Sequence, residues 1–176
     1  MLDLAYKYEQ EIRNLFYDTW YDKKYMFYHI SYHTPFQTSS FNDGDWNCRQ
    51  LASVDSNGNV IGYISYSIIR QSDIACEFGA INFSDNKLTF GRDLIQVIDD
   101  IFCKFNLKKL EFSVIVGNPI EKTYDAMIKK YNGNIVGIQK RHAKLMDNNY
   151  YDQKLYEIFR EDYIAAKEKR HGRHFV

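Results

Sequence analysis

Asn86-Lys87-Leu88-Thr89-Phe90-Gly91 stands where an apolar strand-like run gives way to a helical pattern. A helix start has backbone amides without intrahelical partners and the positive end of the peptide dipole, so it can hold an anion. Lys87 and Arg92 flank this start and would offer a phosphate two cations. Asp93, in the first turn, works against that, because its carboxylate fills part of the same electrostatic role. The plain alternative is a strand-to-helix junction whose helix end is simply solvated. Other chemistries leave no pattern: there is no Gly-x-x-x-x-Gly-Lys-Ser/Thr, no Gly-x-Gly-x-x-Gly and no His-Glu-x-x-His. Cys48, Cys76 and Cys103 are odd in number and widely spaced, as reduced cysteines are, and do not suggest a metal site or disulfide frame. His171 and His174 have no carboxylate or cysteine nearby to complete a metal site, and no metal is expected.

Around that junction the periodicities are clear. Ala75 to Ser84 is apolar-rich, lacks proline and stops at Asp85-Asn86, as a buried strand would. Leu94, Val97, Ile98, Ile101, Phe102 and Phe105 recur at helical steps. Lys109 to Val116 then alternates, with Leu110, Phe112, Val114 and Val116 on one side. A strand, a helix and a returning strand predict a right-handed crossover between parallel strands. Before it, Arg49–Val54 and Asn59–Ile69 form two strands about Asn57-Gly58, a tight-turn signal. After it, Asn118-Pro119 opens a helix with Asn as cap, and Ile120, Tyr124, Met127, Ile128 and Tyr131 make its buried stripe up to Asn132-Gly133. Asn134–Leu145 and Tyr150–Phe159 read as a long hairpin, and Arg160–Arg170 as a charged helix before a frayed tail. Upstream, helices are predicted over Tyr6–Trp20 and Asp22–His29. The stretch from Ile30 to Asn47 reads as loop, and its Phe36, Phe41 and Trp46 either line a pocket or cap the core.

This order of elements, with the loop Asn86 to Gly91 at its centre, resembles the GNAT superfamily of acetyl-CoA-dependent N-acetyltransferases over about Gln50 to Phe159. The family's loop is Gln/Arg-x-x-Gly-x-Gly/Ala, and its amides wrap the pyrophosphate of CoA. Asn86 stands at the Gln/Arg position, Thr89 at the first Gly and Gly91 at the second, so one position of three matches strictly. Threonine lacks the conformational freedom of glycine there. The resemblance implies an α/β fold whose mixed, mainly antiparallel sheet has a central parallel strand pair splayed at the cofactor site. It implies that Gly79, Ala80, Ile81 and Asn82 face the acetyl thioester and that Asn86, Lys87, Leu88, Thr89, Phe90, Gly91 and Arg92 surround the pyrophosphate. Asn118 would contact the pantetheine arm, although it is equally explained as a helix cap.

Moving an acetyl group from a thioester to an amine needs three things: the amine must lose a proton, the oxyanion must meet a donor, and the leaving thiolate should be protonated. In the family's pattern Glu77 is the carboxylate nearest the substrate end of its strand, hence the candidate base, with Glu111 on the next strand as rival. The family's thiolate acid is a tyrosine on the helix after the second parallel strand. Its usual spacing falls on Ile128 here, so Tyr124, one turn earlier, is the candidate; Tyr131 shares the helix. The expected activity is transfer from acetyl-CoA to a primary amine on a small molecule or peptide, and the alternative is a GNAT-fold module that binds CoA or acyl-CoA without turnover.

Length and composition fit that expectation. A chain of 176 residues fits one domain, read as a helical, aromatic-rich acceptor side (1–47), a sheet core (48–160) and a C-terminal helix and tail (161–176). Lys plus Arg and Asp plus Glu both number 23, so overall charge gives no reason to expect nucleic acid or an anionic membrane as partner. No apolar run approaches the roughly 20 residues of a membrane helix, and the first residues lack a signal-peptide pattern. A cytoplasmic, bacterial protein, monomeric or homodimeric, is expected.

Overall fold

Alternation of side chains along Val60–Ile69 sends Ile64, Tyr66 and Ile68 into one apolar cluster and Tyr63 into another, so both faces of this strand are covered. The strand lies within a seven-stranded sheet in a computed structural model that describes residues 1–20, 22–28, 41 and 46–171, with side chains through 169. The strands are β1 (Leu2–Leu4), β2 (Cys48–Val54), β3 (Val60–Ile69), β4 (Ile74–Asn82), β5 (Lys109–Ile115), β6 (Asn134–Lys144) and β7 (Tyr150–Phe159). Their order is β1-β2-β3-β4-β5-β7-β6, with every pair antiparallel except β4 with β5. The four α-helices among the described residues are α1 (Glu9–Thr19), α2 (Lys87–Asp99), α3 (Glu121–Lys130) and α4 (Arg160–His171). The mixed, mainly antiparallel α/β fold with one central parallel pair is the fold class the sequence predicts.

One sheet face packs Tyr66, Phe78, Leu110, Phe112, Tyr156 and Ile158 against α2, α3 and α4; the other packs Ala52, Val54, Tyr63 and Ile81 against Ile12 and Phe16 of α1. The β2–β3 turn is built as expected, with Gly58 at φ +87° and the Asp55 carboxylate accepting the Asn57 and Asn59 amides.

Four local features differ from the sequence reading. The edge strand β1 was not expected, because three residues are too short to show a period of two. Helix α2 does not run unbroken to Phe105: residues Asp100–Lys104 form a π turn, closed by the Phe105 amide on the Asp100 carbonyl. The helix after β5 begins at Glu121, not at Asn118-Pro119. Asn118 instead closes a turn, its Oδ1 accepting the Ile120 amide at 3.1 Å, so Asn118 is not the N-cap. Residues 23–28 form a 3-10 segment in place of the second short helix. Phe36, most of the 30–47 loop and the tail from Gly172 lie outside the described residues. Phe41 is buried in the α1 cluster and Trp46 is exposed.

Candidate active site

Strands β4 and β5 pair at Ile74↔Lys109, Ala75↔Leu110 and Phe78↔Phe112 and then part. The register slips between Ala75 and Phe78, where Glu77 has φ +52°: a β-bulge that bends the strand, with one more pair to β5 beyond it. Beyond it Gly79 to Asn82 pair only with β3, and Ser113 to Ile115 only with β7, which leaves a gap between two parallel strands. The Phe83 amide donates to Ile61 on the β3 side at 2.9 Å. Strand alternation therefore turns the peptide groups of Ala80 and Asn82 toward the gap, and those of Gly79 and Ile81 away from it. The Asn82 carbonyl there accepts from Tyr25 Oη at 3.2 Å, which ties the 23–28 segment across the end of the gap. Phe27 of that segment reaches the other side, 3.9 Å from where a Cβ on Gly117 would stand.

At the start of α2 the chain satisfies most of its own amides. Asn86 Oδ1 caps the helix by accepting the Thr89 amide at 3.2 Å, Lys87 N donates to the Asp85 carbonyl at 2.8 Å, and Phe90 N donates to Asn86 O at 3.3 Å. Of the first four helix amides, Leu88 N–H is the one with no partner among the described residues. Lys87 and Arg92 are exposed beside it. A Cβ added to Gly91 would meet nothing within 4 Å, so the protein's own packing does not require glycine there. Phe90 is different: a Cβ on Gly62 would lie 2.3 Å from its ring, so Phe90 anchors the first turn on β3. Asp93 is turned to the sheet, where its carboxylate accepts from Ser53 Oγ at 2.7 Å and from the Met1 amine at 3.1 Å.

On the sheet face opposite α3, the bulge borders an open bay of about 620 Å³ lined by Glu77, Phe78, Glu111, Phe112, Ser113 and Tyr156 among others. The bay brings Glu77 and its rival Glu111 together. Glu77 is exposed and accepts from Ser67 Oγ at 2.7 Å; Glu111 is ion-paired with Lys109 at 2.5 Å. Tyr124 approaches from α3. It is 5% exposed and edge-on to Phe112 at 5.1 Å and to Tyr156 at 6.1 Å between ring centroids, in the core on the α3 face of the sheet. Its hydroxyl has no hydrogen-bond partner among the described residues, and burial pushes its pKa well above the usual tyrosine value. Tyr131 packs on Tyr163 at 4.6 Å, and Ile128 is buried in the same core.

Sequence reasoning did not single out Tyr25 or the cluster of Glu121, Asp125, Lys154 and Tyr156 behind Tyr124. Glu121 and Asp125, four residues apart and so on one helix face, were the available signal for the cluster.

A scan against protein-family models finds no match, and a search of curated proteins finds none. Solved structures do match. Mutant forms of the spermidine/spermine N-acetyltransferase SpeG from Vibrio cholerae superpose with a TM-score of 0.72 at 20% identity, over 95% of this chain and 97% of theirs. A further mutant of spermidine N-acetyltransferase SpeG from the same organism gives 0.69 at 21% identity, over 93% and 96%. The splayed parallel pair and the near-complete coverage agree: this chain has the GNAT N-acetyltransferase fold.

Proposed function

We propose that the protein transfers the acetyl group of acetyl-CoA to a primary amine. The observation that carries this reading is the gap beside β4, into which the Ala80 peptide group turns, together with a buried tyrosine hydroxyl on α3 that has no partner among the described residues. A buried hydroxyl left unpaired costs about 1–3 kcal/mol, and a ligand group in the gap would relieve that. The residues fit the cofactor. Leu88 N–H, Lys87 and Arg92 supply donors and positive charge for a pyrophosphate, the open side of Gly91 lets it come close, and Asn118 stands at the end of β5. Bound acetyl-CoA would supply the thioester to be attacked. The Ala80 amide stabilises the developing oxyanion, Glu77 takes the proton of the acceptor ammonium directly or through water, and Tyr124 protonates the departing sulfur. A phenol is protonated at neutral pH, as an acid must be, and burial raises its pKa further. The bay is lined by Glu77, Glu111 and Glu157 and by one cation, Lys109, which pairs with Glu111 and Glu157, and it suits a small cationic acceptor. Spermidine, which the SpeG structures name, is the first to test.

The test is calorimetry with acetyl-CoA on the native chain and on Gly91→Trp, followed by thiol release with spermidine and other amines. Micromolar binding by the native chain alone, with amine-dependent thiol release, is expected; no binding to either chain would end the cofactor reading. A second reading, ligand binding without turnover, is favoured by one observation: the position of the family's usual acid holds Ile128, an apolar side chain buried in the core. Tight binding with no thiol release from any amine tried would point to it.

A further inference from the structure

Behind Tyr124 lies a compact charged cluster that the reaction as described does not use. Lys154 of β7, with its side chain 11% exposed, donates to both oxygens of Asp125 at 2.7 and 2.9 Å and to Glu121 Oε1 at 3.3 Å. Tyr156 Oη, also on β7 and on a residue 1% exposed, donates to the same Asp125 oxygen at 2.8 Å. The other Glu121 oxygen accepts the Gly117 amide at 3.0 Å, in the turn that leads into Asn118. Glu121 and Asp125 lie four residues apart on α3, where two carboxylates repel unless a cation stands between them. Asp125 follows Tyr124 in sequence, and the Tyr156 ring that holds Asp125 also packs on Tyr124 and stacks on Phe112 at 5.0 Å. The cluster therefore fixes Tyr124 twice, through the backbone of its neighbour and through the ring it rests on.

We propose that Lys154 is a positioning residue: by clamping Asp125 and Glu121 it sets the rotation of α3 that presents the Tyr124 hydroxyl to the gap between β4 and β5. The inference rests on the acetyl-transfer reading for the purpose of that hydroxyl, but the clamp is testable without turnover. An ordinary helix-to-sheet ion pair would only hold α3 down, whereas a positioning clamp changes the surroundings of one tyrosine more than those of its neighbours. Displacement of a reacting group by about an ångström is enough to cost on the order of 100-fold in rate.

The experiment uses the full chain with ¹³Cζ-labelled tyrosine, with the Tyr124 resonance identified by its loss in Tyr124→Phe. Spectra are recorded without ligand and with saturating coenzyme A for the native chain, Lys154→Met, Lys154→Arg and Asp125→Asn. In Lys154→Met and Asp125→Asn the Tyr124 resonance is expected to shift or broaden, and its response to coenzyme A to fall by half or more. The Tyr131 and Tyr163 resonances should hold still, and Lys154→Arg should recover the native signal. An unchanged Tyr124 resonance in both charge-removing variants, or equal movement of Tyr131 and Tyr163, would overturn the proposal. If native Tyr124 ignores bound coenzyme A, the proposed acid fails, while the ligand-free spectra still decide whether Lys154 holds Tyr124. Asp125→Asn keeps the side-chain shape and reports the clamp even if Lys154→Met does not fold.

Discussion

The two sides of the gap are built on opposite principles. On the β4 side, the start of α2 is exposed and offers one amide with no partner among the described residues, two surface cations and a glycine with open space beside it. On the β5 side, Tyr124 is enclosed by Phe112 and Tyr156 and braced by Lys154 and Asp125. A phosphate is large, anionic and readily held by amides, so the side that would bind it needs few particular side chains. A proton donor must be one hydroxyl at one place, so its side is packed and bonded. Substitutions on the β5 side should therefore act on rate, and those on the β4 side on affinity.

The largest effect is expected from Tyr124→Phe. Turnover should fall about 100-fold or more with acetyl-CoA affinity kept, and thermal stability should hold or rise because an unpaired buried hydroxyl is removed. Turnover at the native level would break the contrast by removing the β5 side from the chemistry. Glu77→Gln should lower kcat/KM by ~10–100-fold without changing acetyl-CoA affinity. If Glu111→Gln has that effect and Glu77→Gln does not, the base is on β5.

Gly62→Ala sharpens the comparison from the packing side. The new methyl would meet the Phe90 ring at 2.3 Å and the Ile81 carbonyl at 2.8 Å, so a loss of about 1–3 kcal/mol is expected in denaturant unfolding. An unchanged midpoint would mean that Phe90 does not anchor the first turn of α2. Asn86→Gly should do the reverse of damage to the ligand. It frees the Thr89 amide, so acetyl-CoA should bind about fivefold more tightly, the worth of roughly one hydrogen bond, while the helix loses a few tenths of a kcal/mol. Weaker binding would show that Asn86 itself contacts the ligand.

The smallest effect concerns pH. The Lys154 ammonium holds the Asp125 carboxyl below the usual carboxylate range, and Asp125 in turn raises the Lys154 pKa above the usual lysine value. Stability from the depressed carboxyl is present above its unfolded-state pKa and is lost as pH falls through the folded value. Stability from the raised lysine is present below its unfolded-state pKa and is lost only in strong alkali. Asp125→Asn should thus cost under about 1 kcal/mol at neutral pH, because solvent screens a side chain that is 36% exposed. That cost should shrink in acid; an equal cost at low pH would show that packing, not charge, is what Asp125 contributes.

Much of the fold was legible because its signals are local. The Asn57-Gly58 turn, the alternation of Lys109 to Val116 and the helical stripe of α2 each lie within a dozen residues. The site was less legible, since what matters there is which groups meet across the sheet. Nothing near Glu77 announces a residue with φ +52°, a conformation imposed by the slip of β4 against β5. Asn118-Pro119 carries the sequence marks of a helix cap, yet the Asn118 side chain bonds only two residues ahead and α3 starts at Glu121, where the carboxylate can take the Gly117 amide. Lys154 looks like one more surface lysine on a hairpin until β7 is laid beside β5 under α3.

The sequence by itself determined the order of strands and helices from β2 onward, the α2 start with Lys87 and Arg92 beside Gly91, and the placing of Tyr124 on the buried stripe of its helix. These follow from propensity and periodicity, which act between near neighbours in the chain. Tertiary structure alone decided where β4 and β5 part, that the Ala80 peptide turns into the gap, that Asn86 closes on Thr89, and that Lys154 stands behind Tyr124. Each of these depends on the register between strands or on the seating of a helix on the sheet, and a shift of one residue in register would turn every side chain involved to the other face.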